Sequence, residues 1–185
     1  LAGLEIAPLL HALDLHVYAA NWRCFVHGRF EMRIALYQPD IPQNTGTILR
    51  LAACLNVAVD IIEPAGFDLS DRALKRAALD YIEAVEVIRH PAFPQFRDAA
   101  RAAASRIVLL TSRAETPYIA AKFQPSDILL VGRESAGVPE VVRDAADLHL
   151  RIPMRKGLRS LNVAVALAMV LGEGLRQTGG FSSLA

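Results

Sequence analysis

Cysteine is nearly absent from this chain. Cys24 and Cys54 are the two found in 185 residues. Their spacing suits neither a metal site nor a disulfide framework, a usage that fits a reducing, cytoplasmic compartment. No apolar run reaches the ~18 residues that a membrane span requires. Charge of one sign is lacking too: the net charge is +1, which removes the global electrostatic signature of a nucleic-acid binder. Glycine-rich nucleotide signatures are also missing. The chain has no G-x-G-x-x-G after a strand, which disfavours an oxidoreductase on an open sheet, and no Gly-Lys-Ser/Thr to close a Walker loop. No metal-ligand cluster is evident, so any chemistry is expected to be metal-independent.

What remains is a well-packed globule. Hydrophobic residues make up 53% and charged residues 21%, and the length suits one domain. Short β-rich runs alternate with helical patterns from Arg33 onward. Strands are expected at 33–37, 57–62, 84–88, 106–111, 127–131 and 147–152. Helices are expected at 45–55, 70–78, 94–104, 116–122, 138–144 and 160–177. Runs such as Ile107-Val108-Leu109-Leu110 and Ile128-Leu129-Leu130-Val131 suit strands buried on both faces. The pattern predicts an α/β fold, a mostly parallel sheet with helices on both faces. Residues 1–31 read as an extension ahead of a domain spanning 32–180; they lack the basic start and small-residue cleavage site of a secretory signal. The stretch after Thr178 reads as frayed, with 181–185 as the tail.

The last helix carries its own message. Val163 to Leu171 is apolar at every position, and a helix apolar all round needs cover on all sides. A sheet in a domain this small covers one side. A second copy of the chain is the expected cover for the other, so a homodimer is predicted; a central helix in a monomer is the alternative.

Three segments gather polar chemistry where strands hand over to loops or helices. The first is Asn44-Thr45-Gly46-Thr47-Ile48-Leu49-Arg50, after a turn containing Pro39 and Pro42, with Arg50 expected on the buried side. Such junctions are where α/β proteins place phosphate and ribose chemistry, although Asn44 could equally be a plain helix cap. The second is Gly132-Arg133-Glu134-Ser135-Ala136-Gly137-Val138-Pro139, whose glycines permit close backbone approach. The third is Ile152-Pro153-Met154-Arg155-Lys156-Gly157-Leu158-Arg159-Ser160-Leu161-Asn162, a basic glycine loop in which Ser160 could serve simply as the cap of the last helix.

Together with Tyr37-Gln38-Pro39-Asp40-Ile41-Pro42-Gln43-Asn44-Thr45-Gly46, Ile61-Ile62-Glu63-Pro64-Ala65-Gly66-Phe67 and Leu79-Asp80-Tyr81, these segments resemble the SPOUT class of S-adenosylmethionine-dependent RNA methyltransferases. Within it the likeness is to the tRNA wobble-nucleotide ribose 2′-O-methyltransferases, and it runs from about Met32 to Gly180. The resemblance implies a C-terminal trefoil knot, which no pattern argument would propose. It implies S-adenosyl-L-methionine held by Leu110, Gly132, Ile152, Met154 and Ser160, with Leu110 and Ile152 sandwiching the adenine and Gly132 leaving room for the cofactor. It also implies that Arg50, Asn44, Glu134, Ser160 and Asn162 carry the reaction. Guanidinium rarely deprotonates, so Arg50 is read as a phosphate clamp and oxyanion stabiliser, and the general base stays unassigned. Arg155, Lys156 and Arg159 are the expected RNA contacts. The expected substrate is the ribose of nucleotide 34 of tRNA, cytidine or uridine derivative, in leucine isoacceptors. A ribosomal or different tRNA position, or an inactive knotted RNA-binding module, is the alternative. Arg133 departs from the proline of some relatives.

Overall fold

The computed structural model describes residues 32–68, 81 and 83–184. The expected helix at 70–78, the basic residues Arg72, Lys75 and Arg76, and the extension 1–31 lie outside them. Six strands form one sheet: β1 (Arg33–Tyr37), β2 (Val59–Ile62), β3 (Val87–His90), β4 (Ile107–Leu110), β5 (Ile128–Val131) and β6 (Leu148–Leu150). Their order is β3-β2-β1-β5-β4-β6, and every pairing is parallel. Helices α1 (Pro42–Cys54), α2 (Phe93–Ala102), α3 (Glu140–Asp144) and α4 (Val163–Thr178) complete the layers.

Strand alternation divides the core in two. Ile34, Leu36, Val108, Leu129 and Val131 pack with α1 and α4 through Ile48, Leu49, Ala52, Leu167, Val170 and Leu171. Ala35, Tyr37, Leu109, Ile128 and Leu130 face the other way, onto Phe93, Phe96 and Ala100 of α2 and Val142 of α3. A parallel sheet covered on both faces accounts for the near-continuous apolar runs.

Several boundaries differ from the sequence reading, each for a local reason. The third strand lies at Val87–His90 rather than 84–88 because polar residues inside the sheet are paired. His90 Nε2 and Arg33 Nη2 meet Asp60 Oδ1 at 2.6 and 2.5 Å, and Arg89 Nε donates to Glu63 Oε1 at 2.6 Å. Helix α1 starts at Pro42 rather than 45, since proline suits the first helical position. The expected helix at 116–122 is a single 3-10 turn at Tyr118–Ala120, because Pro117 and Tyr118 are engaged with Arg151 beyond β6. The last helix begins at Val163 rather than 160. The tail is not frayed through Ser183: Gly179 adopts a left-handed cap (φ 75°) and Gly180–Ser183 forms a further 3-10 turn.

Helix α4 is covered on one side. Ala164, Leu167, Val170, Leu171, Gly174 and Leu175 are buried at helical spacing, whereas Val165 is 51% and Met169 40% exposed. The described residues therefore do not bury this helix all round.

Leu129 lies at the centre of β5 and is fully buried. Leu129→Ala is expected to cost about 2–5 kcal/mol through lost burial and a residual cavity, measured as a lowered urea midpoint with an unchanged slope.

Candidate active site

All six strands run the same way, so their C-terminal ends share one edge. Strand order reverses between β1 and β5: β2 and β3 build outward on one side, β4 and β6 on the other. The loops that leave β1 and β5 therefore diverge and open a crevice, the place where open α/β sheets bind ligands. A shallow, open depression lies there, lined by Tyr37, Pro39, Thr45, Gly132, Glu134 and Val163 among others.

Asn44, Glu134 and Asn162, 118 residues apart at the extremes, are brought together by hydrogen bonds. Asn162 caps α4: its Oδ1 accepts from Ala164 N at 2.9 Å and from Val165 N at 3.4 Å. That leaves its amide nitrogen to donate, which it does to Asn44 Oδ1 at 2.8 Å. Asn44 Nδ2 then donates to Glu134 Oε1 at 3.0 Å. The helix cap thus fixes the polarity of the whole chain, since each amide presents oxygen to one neighbour and nitrogen to the next. Neither plainer reading of the caps holds. Ile41 precedes α1 without a side-chain cap, so Asn44 is free to face Glu134; Asn162, not Ser160, caps α4.

The chain continues to Asp40, a residue that sequence reasoning quoted within a motif and gave no role. Asp40 N donates to Glu134 Oε2 at 3.3 Å. In return the Asp40 carboxylate accepts Glu134 N at 3.1 Å, Ser135 N at 3.3 Å and the Ser135 hydroxyl. The two carboxyl groups also share a hydrogen bond, and their proton affinities diverge. That bond to Glu134, helped by the Ser135 hydroxyl and the two backbone N–H groups, holds Asp40 down from 3.8 to about 2. Burial pushes Glu134 above the ordinary carboxylate range, and the bond to Asp40 pushes it further. Asp40 is thus the more acidic of the two and Glu134 the less acidic.

Gly132 is a glycine for a reason within the loop itself. Arg133 and Gly137 exchange backbone hydrogen bonds of 3.1 and 2.8 Å, folding the loop back so that a Cβ on Gly132 would lie 2.5 Å from the Gly137 carbonyl carbon. Gly137 itself sits at φ 68°.

The other expected residues are more dispersed. Leu110 and Ile152 are half-buried at the ends of β4 and beyond β6, both packed against the α1/α4 side of the core, and Met154 is half-buried nearby in sequence. Apolar side chains at the ends of adjacent strands suit the faces of a flat heterocycle. Ser160 is exposed in the loop before α4. Arg50 is exposed rather than on the buried side; its guanidinium lies 5.1 Å from the centroid of the Tyr81 ring, a cation–π contact. It is outside the Asn44–Glu134–Asn162 chain. Arg155, Lys156 and Arg159 are exposed around Gly157, whose φ of 88° turns the loop. Arg133 packs its guanidinium 5.9 Å from the Tyr37 ring centroid. Among the described residues no group of His, Cys, Asp and Glu is placed to hold a metal ion, and no helix is long and apolar enough to cross a membrane.

Comparison with known proteins follows the same geography. The family described as SpoU rRNA Methylase matches residues 31–172. The tRNA (cytidine(34)-2′-O)-methyltransferase of Beijerinckia indica subsp. indica is 56% identical over 151 residues, covering 82% of this chain and 94% of that protein. A solved structure described as giving insights into the 2-OH methylation of C/U34 on tRNA has a TM-score of 0.76 at 41% identity, covering 80% of this chain and 95% of that one. An AdoMet-bound rRNA methyltransferase from Sinorhizobium meliloti has a TM-score of 0.75 at 27% identity, covering 80% of this chain and 57% of that one.

The opposed shifts of Asp40 and Glu134 have opposite effects on stability. Asp40, with a lowered folded value, contributes stability above its ordinary value of 3.8 that is lost as pH falls toward about 2. Glu134, with a raised one, contributes at low pH and loses that contribution as pH rises through its folded value. Urea unfolding of Asp40→Asn is therefore expected to show a smaller loss of stability than wild type on acidification from about pH 4 to 2. Parallel curves over that interval would contradict the assignment.

Proposed function

The chain belongs to the SpoU rRNA methylase family, and from that premise we propose that it transfers a methyl group from S-adenosyl-L-methionine to the ribose 2′-hydroxyl of nucleotide 34 of tRNA. The observation that carries the reading is the hydrogen-bonded chain Glu134–Asn44–Asn162 at the strand-order reversal. The substrate is supported by the relatives at 56% and 41% identity, whose names specify nucleotide 34 of tRNA. Cytidine and uridine derivatives, in leucine isoacceptors, are the substrates we assign, and the cytoplasm is the place of action.

S-adenosylmethionine, when bound, supplies an electrophilic methyl group on a sulfonium sulfur. Leu110, Gly132, Ile152, Met154 and Ser160 are the residues that would hold it, in the family's knotted C-terminal region. A ribose hydroxyl is a poor nucleophile, so the protein's work is alignment and stabilisation of the oxyanion that develops. Asn44 and Asn162, locked in polarity by the helix cap, orient the sugar. Glu134 is held against them through its hydrogen bond from Asn44. Arg50, exposed and steadied on Tyr81, is the phosphate clamp, with Arg155, Lys156 and Arg159 as further backbone contacts. The exposed Val165 and Met169 of α4 support a homodimer through that helix, which sedimentation velocity checks directly.

Labelled-cofactor assays on anticodon stem-loops test the reading. Wild type is expected to methylate nucleotide 34, and Arg50→Lys to lose on the order of 10-fold or more in turnover, since a point charge does not reproduce the guanidinium fork. Mass-spectrometric mapping in a deletion strain should lose the mark at nucleotide 34. An intact anticodon with a missing ribosomal mark would overturn the substrate.

A further inference from the structure

We propose that Asp40 is a positioning residue for the transfer: it latches the Glu134–Ser135 loop to the loop preceding α1, and so holds Glu134 in register with Asn44 and Asn162. The proposal rests on the methyl-transfer reading above and extends it to a residue to which that reading gives no part.

The latch is reciprocal. Asp40 gives its backbone N–H to Glu134 Oε2 and receives at its carboxylate the N–H groups of both Glu134 and Ser135 and the Ser135 hydroxyl. Contacts made in both directions fix the separation and the rotation of two loops 94 residues apart in sequence. A single bond would fix only the separation. Asp40 is itself held from behind. Gly66 N donates to Pro39 O at 2.8 Å, and a Cβ on Gly66 would lie 3.0 Å from both Cα and Cβ of Asp40. Glycine at that position leaves the space in which Asp40 sits. Gln38, two residues before, takes a left-handed conformation (φ 48°) and donates to Glu63 O at 3.3 Å, which ties the same turn to the loop after β2.

An anionic carboxylate suits this place. Two backbone N–H groups and a hydroxyl converge on Asp40, so its negative charge rests where it is best solvated by the protein. Glu134 presents Oε1 to the Asn44 amide and Oε2 to the Asp40 N–H, both as acceptors. Asparagine at 40 keeps one acceptor and loses the charge and the second. Alanine loses the whole arrangement.

Two measurements test the latch. The first is a double-mutant cycle in turnover on an anticodon stem-loop, with Asp40→Asn, Glu134→Ala and the pair, and Asp40→Glu as the conservative rescue. Asp40→Asn is expected to lower kcat about 10-fold or more, with KM for RNA within about threefold and with Asp40→Glu recovering part of the loss. In the Glu134→Ala background the same substitution should cost less than about twofold, because a residue acting through Glu134 has nothing left to position. Full additivity, an unchanged kcat, or a loss carried wholly by KM would overturn the proposal. The second is amide hydrogen exchange at Glu134 and Ser135, which needs no substrate. Faster exchange at both in Asp40→Asn is expected, and unchanged exchange would overturn the latch. A wild type that leaves the stem-loop unmethylated while these amides still respond would remove the substrate reading and leave the latch standing.

Discussion

Everything at this site depends on the reversal of strand order between β1 and β5. Parallel pairing places all the strand ends on one edge, and the reversal parts the two loops that leave the central strands. A parted pair of loops is a liability, because it exposes backbone polar groups at the centre of the sheet edge. Here the gap is bridged by side chains whose bonding is dictated from one end. The α4 cap commits Asn162, Asn162 commits Asn44, and Asn44 commits one oxygen of Glu134. Asp40 closes the series from the other loop. A network satisfied at each step is rigid in a way that isolated contacts are not, and rigidity is what alignment chemistry requires.

The electrostatics follow from the same arrangement. Two carboxyl groups in contact shift each other's proton affinity, and the environment decides which moves up and which moves down. Asp40 is surrounded by donors, while Glu134 is more deeply buried against an amide. The more acidic carboxyl is therefore set back from the amide chain. Positive charge is arranged separately, in exposed Arg50 on Tyr81 and in the loop of Arg155, Lys156 and Arg159. An RNA backbone would meet cations at the surface, and its sugar would meet the polar side chains within.

Much of this was legible in the sequence, though by different routes. The apolar runs at 107–110 and 128–131 announced buried parallel strands, and they are β4 and β5. The third strand was misplaced because Arg89 and His90 look like solvent residues; their partners Glu63 and Asp60 lie on a neighbouring strand and just beyond it, out of reach of any local pattern. Pro42 was visible, yet its force as a helix start was given to Asn44. The convergence of Asn44, Glu134 and Asn162 came from resemblance and not from periodicity, since alternation reveals strands without revealing their order. Asp40 has no role legible in the motif around it. Its role consists of bonds to residues 94 and 95 positions away, which have no one-dimensional signal. Arg50 was expected on the buried side and is exposed, because α1 turns Ile48, Leu49 and Ala52 to the core and Arg50 away from it.

The central claim is that distant loops assemble one seat for a methyl donor beside an RNA sugar. Its most direct test is the crystal structure of the protein with S-adenosylhomocysteine and an anticodon stem-loop. The account predicts the 2′-oxygen of nucleotide 34 against Asn44, Glu134 and Asn162, facing the cofactor sulfur across the Gly132 loop. A sugar or a cofactor bound in a cavity that shares none of these residues would contradict it.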